Sequence, residues 1–331
     1  MKSDEILLLT SREIQSLLTL DECIGAVERA FRAYGEGRAA PPAVLSMHTE
    51  GGGFHVKAGL LEFDRSYFAA KLNGNFPENT SRFGLPTIQG VIILCDAGNG
   101  TPLAVMDSRD ITSLRTAAAT AVAAKFLARQ DSRTVTICGC GNQGRNQLKA
   151  LSRVRHVERA FAYDTDVERA LRLSRDLTSD LRMSVTPVSD LTAAVRQSDI
   201  CVTCTTSRQP LLGSDDVSPG TFVAAVGADN PQKQELHPSL MAANKVVCDI
   251  VEQCAVMGDL HHALESGVVT RANVYAELGE VVAGKKPGRE SQEEITIFDS
   301  TGMALQDVAA AAFLYEKAQR DGSGVRLNFA A

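Results

Sequence analysis

Residues 138–144 read CGCGNQG and follow directly on the apolar run Thr134-Val135-Thr136-Ile137. Glycines at 139, 141 and 144 give the spacing G-x-G-x-x-G, which alone describes many tight turns. The surroundings narrow it. A strand is expected over Thr134–Ile137 and a helix over Gln143–Leu151, and an acidic residue, Asp164, closes the next expected strand, Arg159–Tyr163, about 20 residues on. In such a loop small residues let the backbone approach a pyrophosphate. The helix N-terminus turns unpaired N–H groups and its dipole toward negative charge, and the carboxylate accepts hydrogen bonds from ribose hydroxyls. The loop therefore predicts a bound dinucleotide, with Gly139, Gly141 and Gly144 in the turn. A carboxylate at Asp164 repels a 2′-phosphate and favours NAD over NADP, while Arg145 and Arg169 are the nearby cations that pull the other way.

Outward from the loop, strand and helix alternate. Helices are expected at Asp166–Asp176 and Leu191–Arg196, and strands at Ser184–Val188, Ile200–Thr203, Phe222–Val226, Lys245–Cys248 and Ile295–Phe298. That rhythm predicts a Rossmann-type, doubly wound parallel sheet. The first third reads differently, with a helix over Leu20–Tyr34 and extended runs at Tyr67–Leu72 and Gly90–Cys95. The stretch Asp96-Ala97-Gly98-Asn99-Gly100-Thr101 has hairpin chemistry. This part reads as an α+β unit of mainly antiparallel strands. An Ala-rich helix over Thr112–Arg129 leads into the next domain, and a helical tail, Leu305–Tyr315, is expected to return to the first. The fold class is thus α/β with two domains, 1–116 with 305–331 and 117–304.

The chain has 331 residues, 44% of them hydrophobic, a net charge of -6 and no basic block, so no nucleic-acid partner is expected and a small molecule is. The N-terminus lacks a sustained apolar segment and a cleavage site, and no stretch has the length to span a bilayer; no membrane association is expected and the chain reads as cytoplasmic. Eight cysteines are few for this length. The C-x-x-C at 201 and 204 lies in a strand-like run that turns the two side chains to opposite faces, and the thiols read as buried and reduced. No metal site is expected. His48, His55 and His237 are scattered, and the neighbours His261 and His262 read as solvated residues.

Hydride transfer to or from an amino or imino acid needs cations for the carboxylate, a group that handles the proton at nitrogen, and a dry pocket. Lys57, Lys71 and Arg115 each sit among small or apolar residues, where a lysine also serves as an edge-strand charge or a snorkelling side chain. Asp229, in Val226-Gly227-Ala228-Asp229-Asn230-Pro231, follows a strand directly and is placed for acid–base work if burial raises its carboxyl. The bland alternative is a turn cap before Pro231.

Four stretches, KLNGNFPENTSRFGLPT (71–87), ITSLRTAAATAVAAK (111–125), VGADNPQKQEL (226–236) and ITIFDSTGMALQD (295–307), make the chain resemble the ornithine cyclodeaminase/mu-crystallin family over nearly its whole length. The resemblance implies a homodimer in which each subunit pairs a substrate-binding and dimerisation domain with an NAD-binding domain. By the same resemblance Lys71 meets the substrate carboxylate, Arg115 lies between substrate and cofactor, Asp229 exchanges the proton at the substrate nitrogen, and Thr301 lies beside the substrate. It further implies that Thr87, Asn142, Gln143, Asp164, Thr205, Val226, Gly227, Ala228, Lys233 and Ser300 contact the nucleotide. Where the cyclodeaminases carry an arginine after a proline near the start, this chain reads Pro41-Pro42-Ala43-Val44, and Lys57 supplies a cation in a neighbouring segment where they tend to be apolar.

The expected activity is an NAD(H)-dependent reduction of a small α-imino acid to an L-amino acid. Iminosuccinate, which gives aspartate, is the best single substrate if Lys57 takes a second carboxylate. The alternatives are ornithine cyclodeaminase, alanine dehydrogenase or cyclic ketimine reductase, and a crystallin-like binding protein without turnover.

Overall fold

The computed structural model describes residues 5–328. Its strands in chain order are β1 (Glu5–Leu9), β2 (Ala43–Thr49), β3 (Gly52–Glu62), β4 (Ser66–Asn75), β5 (Ile88–Asp96) and β6 (Pro102–Asp107). They continue as β7 (Thr134–Cys138), β8 (Arg159–Tyr163), β9 (Ser184–Pro187), β10 (Ile200–Thr203), β11 (Arg208–Leu212) and β12 (Phe222–Ala225). The last five are β13 (Gln234–Leu236), β14 (Lys245–Cys248), β15 (Ala276–Glu277), β16 (Thr296–Asp299) and β17 (Val325–Asn328). Two compact units result: residues up to Arg115 together with those from Met303 onward, and Thr116–Gly302.

In the first unit a seven-stranded sheet runs β17-β1-β6-β5-β4-β3-β2, antiparallel except for the β1–β6 pair. Side chains alternate across it. Leu61, Tyr67, Ala69, Ile92 and Leu94 turn to a face covered by the helices Leu20–Gly35 and Ala304–Asp321. Gly59 of β3 is what lets the second helix lie so close, since a Cβ there would stand 2.8 Å from Leu305 Cδ2. The opposite face is also apolar. Leu45, Met47, Phe54, Phe68, Leu72, Val91 and Ile93 stand exposed along it, more than an isolated soluble sheet ordinarily shows.

In the second unit the order β15-β14-β16-β12-β10-β7-β8-β9 is parallel throughout, with β7, β10, β12 and β16 buried along their whole length. Burial on both faces explains why these strands read as unbroken apolar runs rather than alternating ones. From β7 the chain steps to β8 on one side and later to β10 on the other, so the loop after β7 lies where the strand order reverses, the usual ligand crevice of such sheets.

Several details differ from the sequence expectation. The helix expected over Thr112–Arg129 runs Ser108–Leu127, the tail helix runs Ala304–Asp321, and the helix Ser11–Leu17 and strands β1, β2, β3, β6, β15 and β17 were not foreseen. The helix foreseen over Asp166–Asp176 begins at Val167 and runs to Leu181, where Arg182 adopts a left-handed φ of 53° and closes it. The short parallel pair β11–β13 and the helices Pro238–Ala242, Val251–Met257 and Asp259–Glu265 carry too few residues for periodicity to reveal.

Candidate active site

Antiparallel register sets Lys57 of β3 directly opposite Lys71 of β4. Residues so paired share one face of the sheet, so two like charges meet there. Lys71 is buried, and Arg115, from the helix Ser108–Leu127, is buried as well. What makes this tolerable is Asp307, in the first turn of the helix Ala304–Asp321. Its Oδ2 lies 2.7 Å from Lys71 Nζ, an ion pair off the line of a well-directed hydrogen bond, and its Oδ1 accepts from Arg115 Nε at 3.1 Å. Arg115 Nη1 also donates to Gln306 Oε1 at 2.9 Å. Burial, then Arg115 and Lys57, push the Lys71 ammonium down to about 7 against the opposing pull of Asp307. Burial would raise the Asp307 carboxyl, but Lys71, Arg115 and Lys57 outweigh it and hold it below the usual carboxylate range. The arrangement concentrates positive charge in a dry layer, which suits a small carboxylate.

The nucleotide loop sits in the second unit. Gly139 takes φ +102°, and a Cβ on it would meet Cys204 O at 2.8 Å. A Cβ on Gly144 would stand 2.0 Å from Gly139 O, so that glycine lets the helix Asn142–Val154 sit on the loop. Gly141 is different: a Cβ there meets nothing within 4 Å, and as N-cap it offers the helix no side-chain hydrogen bond. Open space above a bare helix N-terminus fits an approaching pyrophosphate. Asp164 stands at the end of β8, where Oδ2 accepts from Cys140 N at 2.7 Å and Oδ1 from Asp166 N at 2.9 Å. The two arginines that favoured a 2′-phosphate have carboxylate partners, Arg145 with Asp176 at 2.6 Å and Arg169 with Asp166 at 3.3 Å.

Thr205, Val226, Gly227 and Ala228 lie past the carboxyl ends of β10 and β12, and Asn142 and Gln143 open the helix after the loop. Ser300 and Thr301 follow β16, their hydroxyls donating to Asp249 at 3.2 Å each, and Gln253 Nε2 donates to Thr301 Oγ1 at 2.6 Å. Thr87 belongs to the first unit, where its carbonyl accepts from Phe76 N at 2.9 Å. Asp229 lacks the burial on which its acid–base reading depended. It is exposed and ion-paired with Lys233 at 2.7 Å. His261 and His262 are half-buried rather than solvated, and His262 Nε2 lies 2.9 Å from Lys233 O.

The sequence reading missed Asp307 and Gln306, although two polar residues inside the apolar run Ala304-Leu305-Gln306-Asp307-Val308-Ala309 were the available signal. It also missed Glu235. This buried carboxyl accepts from Thr205 N at 2.6 Å, Thr203 Oγ1 at 2.8 Å and Gly227 N at 2.8 Å, tying together the two loops after β10 and β12. Asp259 Oδ1 in turn accepts from Glu235 N and Leu236 N, and Asp299 from the Asp259 and Leu260 amides. Burial pushes all three carboxyls up, Asp299 to about 7. Beside them the possible ligand atoms of Cys248, Cys254 and Asp299 lie within 4.8 Å of one another, but burial raises the Cys254 thiol well above its ordinary value and its Sγ donates to Asp249 Oδ1.

The profile described as "Ornithine cyclodeaminase/mu-crystallin family" matches residues 4–322. An archaeal alanine dehydrogenase, solved as a dimer with bound NAD, is 40% identical with a TM-score of 0.93, over 98% of this chain and 99% of that one. The Thermococcus litoralis Δ1-pyrroline-2-carboxylate reductase, in complex with NADH and L-proline, is 34% identical with a TM-score of 0.92, over 97% and 99%. The iminosuccinate reductase of Paracoccus denitrificans, in complex with NAD+, is 31% identical with a TM-score of 0.88, over 98% and 99%.

The glycines separate experimentally. Gly141→Ala is expected to leave thermal unfolding unchanged while weakening NADH binding about tenfold or more, read by fluorescence titration. Gly144→Ala forces the helix off the loop and is expected to lower stability by about 1–3 kcal/mol in a denaturant titration.

Proposed function

The chain belongs to the ornithine cyclodeaminase/mu-crystallin family, and on that premise we propose that it is an NAD(H)-dependent oxidoreductase interconverting a small α-imino acid and an L-amino acid. The observation that carries this is the buried cluster of Lys71, Arg115 and Asp307, a cationic carboxylate site in the same chain as an open dinucleotide loop. Relatives of the same length act on alanine, on a cyclic imino acid and on iminosuccinate, as their names state.

In this reading the loop at Gly141 and the Asp164 carboxylate would hold the pyrophosphate and ribose of NADH, which when bound would supply the hydride. Lys71 and Arg115 hold the substrate carboxylate, fixing the imine carbon in place and withdrawing electrons from it; such preorganised positive charge lowers the barrier without reorganisation during reaction. Asp229 balances the iminium charge and carries the proton at nitrogen. A second reading gives that proton to Lys71, favoured by its burial and its pKa of about 7, where Asp229 is exposed and paired with Lys233. Lys57, beside Lys71, is the residue we assign to a second carboxylate, which makes iminosuccinate the preferred substrate. The carboxylate at Asp164 favours NADH over NADPH. The chain forms a homodimer through the exposed apolar face of the seven-stranded sheet, in keeping with the dimeric alanine dehydrogenase it resembles.

Purified protein offered NADH with oxaloacetate, pyruvate or glyoxylate plus ammonia, and with preformed cyclic imines, is expected to oxidise NADH; ornithine turned over to proline with no net NADH change would instead establish the cyclodeaminase. Lys57→Ala is expected to abolish dicarboxylate reduction and spare monocarboxylates, and equal loss of both removes the assignment. For the proton, kcat/KM of reduction should fall as pH rises through about 7, the Lys71 value, because either role of Lys71 requires its charged form. Lys71→Arg keeps that charge at all working pH. Retained turnover with the midpoint gone, together with a loss of about 100-fold in Asp229→Asn, is the result expected for Asp229. The reverse pattern assigns the proton to Lys71. Ile93→Asp, on the exposed sheet face, is expected to give monomers by sedimentation.

A further inference from the structure

We propose that Asp307 is a positioning residue for this reaction, holding the Lys71 ammonium and the Arg115 guanidinium at one fixed separation so that both address a single substrate carboxylate. The inference rests on the function proposed above and deepens it.

Geometry carries the argument. One carboxylate spans both cations, Oδ2 at 2.7 Å from Lys71 Nζ and Oδ1 at 3.1 Å from Arg115 Nε, and all three residues are buried. Lys71 stands on a strand and Arg115 on the helix Ser108–Leu127; Ser108 Oγ donates to Asn73 Oδ1 at 2.6 Å and ties the start of that helix to the strand, but Asp307 is the group that touches both cations. Like charges would drive them apart. Gln306, one residue before Asp307, accepts from Arg115 Nη1 at 2.9 Å, which orients the guanidinium plane. Among the described residues its own Nε2 is buried and has no hydrogen-bond partner, a donor left over at the same place. Because Asp307 belongs to a helix seated on Gly59 of β3, the anion is fixed to the sheet that bears Lys71.

A carboxylate that merely neutralised buried charge would satisfy stability alone. A positioning role predicts more, because small displacements of catalytic cations cost rate steeply. Among the described residues the charged groups that act most strongly on Lys71 are Arg115, Asp307 and Lys57, and Cys23, on the helix Leu20–Gly35, lies within the field of Arg115 and Asp307.

Wild type, Asp307→Asn and Asp307→Glu are compared in three measurements: steady-state kinetics with NADH and the best imino acid across pH, titration of Lys71 by NMR on protein labelled at lysine Cε, and thermal unfolding. Asp307→Asn is expected to lower kcat about 100-fold without raising KM, since the substrate carboxylate then faces more unbalanced positive charge in poorer alignment. Its Lys71 midpoint should move down by about one unit or more, because the carboxylate beside it favours the charged ammonium. Asp307→Glu keeps the charge and displaces it by one methylene, so the Lys71 midpoint should stay while kcat falls about tenfold. Should Asp307→Asn fail to fold, Asp307→Glu carries the kinetic reading. Folded variants with kcat and the Lys71 midpoint within twofold and a few tenths of a unit of wild type overturn the proposal, as does a loss confined to melting temperature. If the wild type oxidises NADH with no imino acid, the proposed function fails separately. The NMR signals of Lys71 and of Arg115 Nε in Asp307→Asn then decide the positioning claim, and unmoved signals overturn it.

Discussion

Two cations buried in one apolar layer cannot stand without an anion, and Asp307 is that anion. Removing one member of such a buried group typically costs about 3–5 kcal/mol, because the partners are left charged and dry. Much of the first unit follows from satisfying this constraint. The Ala304–Asp321 helix must lie close enough to the sheet for a short aspartate side chain to reach Lys71, which requires glycine at position 59 and small residues along the helix, where Ala304, Ala309, Ala310, Ala311 and Ala312 are all buried. The site is thus a property of how one helix meets one sheet.

The second unit solves a similar problem with the opposite charge. Its strands end in a ladder of buried carboxyls in which Asp299 binds the amides of the segment bearing Asp259, Asp259 binds those of the segment bearing Glu235, and Glu235 binds the loops after β10 and β12. Each carboxyl satisfies backbone N–H groups that a loop could not otherwise pair away from water. Gly227 and Gly258 are required for this closeness, since a Cβ on either would fall within 2.6 Å of a carboxylate oxygen. The result is a rigid floor beneath Thr205, Gly227 and Ala228.

Regular elements were legible where one principle governed them. Apolar runs gave seven of the eight strands of the parallel sheet to within a residue or two, the two-residue β15 being missed, and the loop at 138–144 was placed by its neighbours rather than by its glycines. Lys71 and Arg115 were visible as charges among small residues. Asp307 was not, although it lies inside a quoted motif. Its meaning depends on a contact with residues far away in sequence, and within its own helix it reads as one polar residue near an N-terminus, where acids are common. Glu235 was hidden for the same reason. Asp229 shows the converse, because its position after a strand was readable but its exposure was not.

The first unit is discontinuous in sequence, and this orders its assembly. Everything from Thr116 to Gly302 is a contiguous stretch whose parallel sheet needs no other part of the chain to complete its strand pairing. The six strands that precede it in synthesis must wait for the helix that covers their apolar face and for Asp307, which follows Arg115 by 192 residues. Until that helix is made, Lys71 and Arg115 lack their counter-ion, and the apolar face that carries Lys71 has only the helix Leu20–Gly35 to cover it. The part of the protein translated first is therefore among the last to reach its final form, and its window of exposure is set by the time taken to translate the whole second unit.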